Sequence, residues 1–190
     1  MKILAIGAHP DDIEMYCGGI ILKLFDNEVE IVLATLTGGK KNKQIRIDES
    51  NAAWEILGVG GFIDDLKSGY LKHDLDLVSL IDETIEEIKP DIILSHCLED
   101  YHQDHRAVAL SVRSALRGKD ISWITYPFHE KFGYFRHNLV VDIADEVDLK
   151  REMLECFKSQ KDKWYMKQAK ASNVEKFRIE RMVWGKLPLV

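Results

Sequence analysis

Paired cysteines, membrane-length apolar runs, basic blocks and glycine-rich phosphate loops are all missing from this 190-residue sequence. The three cysteines, Cys17, Cys97 and Cys156, are odd in number and show no Cys-x-x-Cys spacing. That excludes a disulfide framework and fits a reducing compartment. No window is long and apolar enough to span a bilayer, and residues 2–6 read as a buried strand rather than a signal-peptide core. A cytoplasmic protein with no membrane partner is therefore expected. Positive charge is in the minority, 26 Lys and Arg against 32 Asp and Glu, for a formal net charge of -6. The densest basic cluster, Lys40, Lys41 and Lys43, is too short to serve as an electrostatic footprint, so no nucleic-acid partner is expected. Repeats, low-complexity tracts and interdomain linkers are absent too. What is present is an ordinary globular balance, 46% hydrophobic and 31% charged. It is enough for one domain spanning 1–190 to bury a core unaided.

Apolar runs alternate with helical patterns. Strands are expected at 2–6, 30–36 and 91–95, and helices at about 15–25, 45–57 (closed by Gly58) and 75–88 (closed by Pro90). Further on, 123–126 and 139–142 read as strands, and 148–159 and 174–184 as helices. Strands alternating with helices predict an α/β fold, a Rossmann-like sandwich whose mostly parallel sheet carries helices on both faces. Ligands of such sheets sit beyond the carboxyl ends of the strands. That rule selects the loop after the first strand and the loop after 92–95.

The first loop reads Ala8-His9-Pro10-Asp11-Asp12-Ile13-Glu14. It lacks the Gly-x-Gly-x-x-Gly of a dinucleotide site, and its acids would repel a pyrophosphate. The second reads Asp100-Tyr101-His102-Gln103-Asp104-His105-Arg106 and runs into an apolar helix. His102 and His105 are three apart and share a face if this is a first helical turn. One histidine from this turn, His9 and one aspartate of the first loop make two imidazoles and a carboxylate. That set leaves a fourth zinc position open, the arrangement of a catalytic rather than a structural zinc. Either loop alone could be a helix cap and turn; two such loops at neighbouring strand ends are the stronger signal.

The Ala-His-Pro-Asp-Asp loop and the Asp-x-His-x-Asp-His segment resemble the two signatures of the LmbE-like (PIG-L) deacetylases. Arg46-Ile47-Asp48-Glu49 is similar to that family's Arg-x-x-Glu, and Val140-Val141-Asp142-Ile143 to a later landmark. The resemblance implies a zinc-dependent hydrolase that removes acetyl from an N-acetylglucosamine-type substrate by metal-activated water. It implies one zinc per chain held by His9, Asp12 and His105, with Asp11 as catalytic base and His102 as charge-stabilising histidine. Arg46 falls on a substrate-contacting arginine, and Asp104 is placed to hold His102 in its charged form. Family members form trimers or hexamers, so a homo-oligomer is compatible. The acid that usually follows the aspartate pair is displaced by Ile13, leaving Glu14 one position late. Arg136-His137-Asn138 stands where many members have a proline.

Other residues weigh less. Gly18 and Gly19 are expected to let the first helix pack closely. Cys97 beside His96 reads as buried structure, His73 as surface, and His129 and His137 lie in an aromatic-rich stretch. Two rival functions stay in view. A metal-dependent phosphoesterase would assemble two ions about 4 Å apart and need more ligands than these loops supply. A non-catalytic sugar-binding protein would have no use for Asp11 and His102.

Overall fold

In the computed structural model, which describes residues 1–25, 29–127 and 135–183, the chain opens with β1 (Lys2–Gly7), α1 (Asp12–Phe25), β2 (Glu30–Thr35), α2 (Lys43–Leu57) and β3 (Gly60–Ile63). It continues through α3 (Leu75–Ile88), β4 (Ile92–His96), α4 (Gln103–Ala115), β5 (Ser122–Tyr126) and β6 (Leu139–Asp142). The last elements are α5 (Val147–Glu155), a 3-10 turn (Lys158–Gln160), α6 (Trp164–Ala171) and β7 (Val174–Arg181). The seven strands form one sheet in the order β3-β2-β1-β4-β5-β7-β6. Neighbours from β3 to β5 run parallel, and β7 pairs antiparallel with both β5 and β6.

Alternation along each strand divides the core in two. Ile3 and Ala5 face one side, packed under α1, α2, α5 and α6 through Ile20, Leu57, Met153 and Met166. Leu4 and Ile6 face the other, under α3 and α4 through Ile81 and Val112. Each fully buried aliphatic side chain contributes about 2 kcal/mol. A one-residue slip of β1 would exchange both sets, so the register is strongly fixed. The α/β sandwich with helices on both faces is thus the fold expected from the sequence. No helix among the described residues is long and apolar enough to cross a membrane.

Local chemistry sets the ends of the elements. Asp74 caps α3 by accepting from Leu77 N (3.1 Å), and Gly58 takes a left-handed φ of 69° after α2. Gly19 admits no side chain, because a Cβ there would lie 2.6 Å from Ile143 Cδ1. Close packing is indeed its role, against the segment after β6.

One element departs from expectation. Residues 174–181 form strand β7 rather than a helix, and Trp184 lies outside the described residues. Glu175 and Phe177 both point inward. A carboxylate at an inward position hides the two-residue period, and it is tolerated because Lys150 meets it at 2.6 Å with both side chains 2% exposed. β3 and α6, absent from the sequence reading, complete the set, and the expected helix at 148–159 ends at Glu155 and gives way to the 3-10 turn.

Candidate functional site

The strand order reverses at β1, whose neighbours β2 and β4 lead the chain in opposite directions across the sheet. At its carboxyl end the two acid-and-histidine loops meet, one entering α1 at Asp12 and the other entering α4 at Gln103. Thr37 Oγ1 donates to the Ala8 carbonyl (2.8 Å) and fixes the first loop from β2's side. His102 is the N-cap of α4, its Nδ1 accepting from Asp104 N at 3.2 Å.

Three donor atoms converge. His9 Nδ1 lies 3.2 Å from His105 Nε2, and Asp12 Oδ2 lies 3.4 Å from each of them. A tetrahedral ion with bonds of about 2.0–2.1 Å spaces its ligands about 3.3 Å apart. The residues therefore fit one small divalent cation without rearrangement. The other nitrogen of each imidazole meets a carboxylate: His9 Nε2 meets Asp104 Oδ2 at 3.0 Å, and His105 Nδ1 meets Asp100 Oδ2 at 2.8 Å. Such outer partners orient metal-binding histidines and raise their basicity.

The electrostatics also call for a cation. Burial opposes charge on His9, yet Asp104 and Asp12 outweigh it and push the imidazole up to about 9. His105 is raised as well, Asp12 and Asp100 overcoming its burial. Asp12 is itself held well below the usual carboxylate range, its burial outweighed by His105, His96 and His9. Without a metal, protons supply the positive charge these carboxylates require; a bound cation would replace them.

Asp11 stands beside this set in a left-handed backbone conformation, φ 96°. Its Oδ1 pairs with an Arg46 nitrogen at 2.9 Å, while its buried Oδ2 has no partner. Burial pushes the carboxyl up to about 7, with Arg46 pulling the other way. Arg46 also donates to the Pro10 carbonyl, so its guanidinium is committed to the loop that carries Asp11. His102 is exposed at the rim, edge-on to His9 with ring centroids 4.8 Å apart.

Asp104 does not hold His102. Its carboxylate takes His9 Nε2 and the amides of Gly69 (2.5 Å) and Leu71 (3.1 Å). Residues two apart at a helix start do not face each other, which is why the expected pairing fails. With its Nδ1 accepting from Asp104 N, a neutral His102 carries its proton on Nε2. Burial, and then the neighbouring His105 and His9, lower its pKa.

Two neighbours were given no role at the site in the sequence reading. His96 is completely buried, with Nε2 3.2 Å from Asp12 Oδ2. Burial and His105 hold it down to about 4, so it is neutral. The available signal was a histidine ending a core strand beside the first loop. Glu14 turns away from the three donors and accepts from Trp54 Nε1 (2.6 Å), and burial pushes it up to about 8. In the aromatic-rich stretch, Trp123 and Tyr126 belong to the core, whereas His129 lies outside the described residues. Cys97 is buried and His73 exposed, bonded to Ser114 Oγ at 2.9 Å.

Comparison with known proteins bears on family and fold. The chain is 34% identical over 119 residues to the uncharacterized deacetylase YaiS of Escherichia coli (strain K12). That match covers 56% of this chain and 63% of YaiS, less than two thirds of its length. Among solved structures it resembles N,N'-diacetylchitobiose deacetylase from Pyrococcus horikoshii (TM-score 0.76, 21% identity, 95% of this chain and 84% of that one). It also resembles GalB, the 4-carboxy-2-hydroxymuconate hydratase of Pseudomonas putida KT2440 (TM-score 0.77, 21% identity, 88% and 83%). A deacetylase and a hydratase on one scaffold mean that these likenesses establish the fold and leave the chemistry to the site. The family model described as GlcNAc-PI de-N-acetylase matches residues 4–116, a span containing both loops and Arg46, and the chain belongs to that family, PIG-L.

Proposed function

We propose that the chain is a zinc-dependent N-deacetylase that hydrolyses the acetamide of an N-acetylated amino sugar. The observation that carries this reading is the convergence of His9 Nδ1, Asp12 Oδ2 and His105 Nε2 at 3.2–3.4 Å from one another. These three would hold the ion, and membership of PIG-L together with the similarity to YaiS supports amide hydrolysis. When bound, the ion supplies Lewis-acid activation of water and of an amide carbonyl.

The chain's own residues supply the rest. Asp11 Oδ2, buried and free of partners, takes the proton of the attacking water and passes it to the departing amine. Arg46 holds Oδ1 and so keeps the second oxygen aimed. His102 Nε2–H is the donor for the carbonyl oxygen as it gains charge, a contribution worth about 3 kcal/mol. Asp100 and Asp104 orient the two imidazoles. Asp104 therefore works through His9 rather than through His102.

The test is a deacetylation screen over N-acetylglucosamine conjugates, scored by acetate release before and after chelation. Acetate release lost on chelation and restored by zinc is expected. A stoichiometry of two ions per chain with phosphate ester cleavage would replace this reading with the phosphoesterase one; no ion and no hydrolysis would leave a sugar-binding protein.

A further inference from the structure

His96 ends β4 with no exposed surface, and none of the roles above uses it. Its Nε2 lies 3.2 Å from Asp12 Oδ2 and 3.0 Å from Ala8 N. Its Nδ1 is buried without a partner. An imidazole nitrogen has one in-plane direction, occupied either by a proton or by a lone pair, so Nε2 cannot serve both neighbours at once. With the proton on Nε2, two N–H groups would face each other at 3.0 Å and the buried Ala8 amide would lose its acceptor. With the proton on Nδ1, Nε2 accepts from the Ala8 N–H, which is aimed at it. The second tautomer is the favoured one.

A direct bond from His96 to the ion is the competing role, since ligand atoms of Asp12, His96 and His105 all lie within 4.8 Å of one another. The ring geometry opposes it. His96 and His105 are stacked, with centroids 3.9 Å apart and planes at 14°. Imidazole binds a metal along its in-plane lone pair, and two nearly parallel planes at that spacing do not converge. An ion shared by both would sit well out of both planes. His105 has its other nitrogen on Asp100 and faces His9 and Asp12, whereas His96 lies beneath it.

The ring is also fixed in place. Tyr126, paired with His96 in the β4–β5 register, packs edge-on at 4.8 Å and 65°. Its own hydroxyl donates to the Ile6 carbonyl at 2.7 Å. His96 therefore cannot swing toward an ion without displacing a buried tyrosine.

We infer that His96 is a positioning residue of the metal centre, holding the loop that carries His9 and Asp12 by accepting from the Ala8 amide through Nε2, and supporting His105 by stacking. The inference rests on the reading that a cation sits among His9, Asp12 and His105. The metal-free chain and its variants are titrated with Zn2+ against a chromophoric chelator, and their Co2+ forms are compared by d–d absorption. His96→Leu is expected to weaken metal binding about 10–100-fold while leaving one ion per chain and an unchanged Co2+ spectrum. His96→Gln, whose amide oxygen can accept from the Ala8 N–H, recovers most of that loss, and His96→Asn, too short to reach, does not. Ring 15N shifts of the zinc-loaded chain place the His96 proton on Nδ1.

Native affinity in both the Leu and Asn variants would reduce His96 to core packing. A Gln variant as weak as Leu, or a proton on Nε2, would remove the hydrogen bond from the account. A changed Co2+ spectrum or lost stoichiometry would make His96 a ligand. If His96→Leu fails to fold, the Gln and Asn pair still decides. A native chain that binds no ion overturns the metal reading and this inference with it, whereas unchanged variants of a metal-binding chain overturn the inference alone.

Discussion

Asp11→Asn is the sharpest perturbation of the proposed chemistry. Asp11 sits at φ 96°, where asparagine and aspartate are the non-glycine residues best tolerated, so the backbone need not change. An alanine there would add strain of about 1–2 kcal/mol and confuse the result. Asparagine also keeps an oxygen for Arg46 at the position now 2.9 Å away. What disappears is the proton acceptor at Oδ2. General acid–base groups contribute about 10²–10⁴-fold, so kcat is expected to fall by at least about 10², or about 2.7 kcal/mol of barrier. Zinc content stays at the native value, since Asp11 is not among the three donors. The pH profile gives a second readout. A base works only when deprotonated, so kcat/KM falls as pH drops through its pKa. Burial raises Asp11 to about 7 in the metal-free chain, and a nearby cation lowers it, so the acid limb lies at or below about 7. That limb vanishes in Asp11→Asn. The assay is acetate release with metal analysis on the same sample. Near-native turnover at native zinc content would refute the base assignment.

Two further outcomes follow from the surroundings of the site. Asp100→Asn removes the carboxylate from His105 Nδ1 (2.8 Å) and is expected to weaken zinc binding about 10–100-fold in a chelator competition; an unchanged affinity would show that His105 needs no such partner. Lys150→Met leaves Glu175 as an unpaired buried charge and is expected to cost about 3–5 kcal/mol in urea unfolding, and a loss below about 1 kcal/mol would show the pair to be dispensable.

Much of this was legible in the sequence because local chemistry determined it. α3 runs from Leu75 to Ile88, as its apolar stripe and Pro90 require. The apolar runs of β1 and β4 declared themselves as buried strands, and the switch-point rule then selected both loops. What escaped depends on partners distant in sequence. β7 was hidden because the charge of Glu175 is neutralised by Lys150, which no local pattern announces. β3 begins Gly60-Gly61, and Phe62 and Ile63 alone are too few side chains to show a period. His96 meets Ala8 across 88 positions, so its place at the site is a consequence of strand order alone. The partner of Asp104 was misjudged for the opposite reason, since nearness in sequence to His102 is not nearness in space at a helix start.

Anomalous diffraction at the zinc edge, from crystals of the zinc-loaded chain, tests the metal centre directly. One peak per chain is expected, bonded to His9 Nδ1, Asp12 Oδ2 and His105 Nε2 at about 2.0–2.2 Å with a fourth position open to solvent. A peak anywhere else, or none at full zinc occupancy of the solution, would contradict the account.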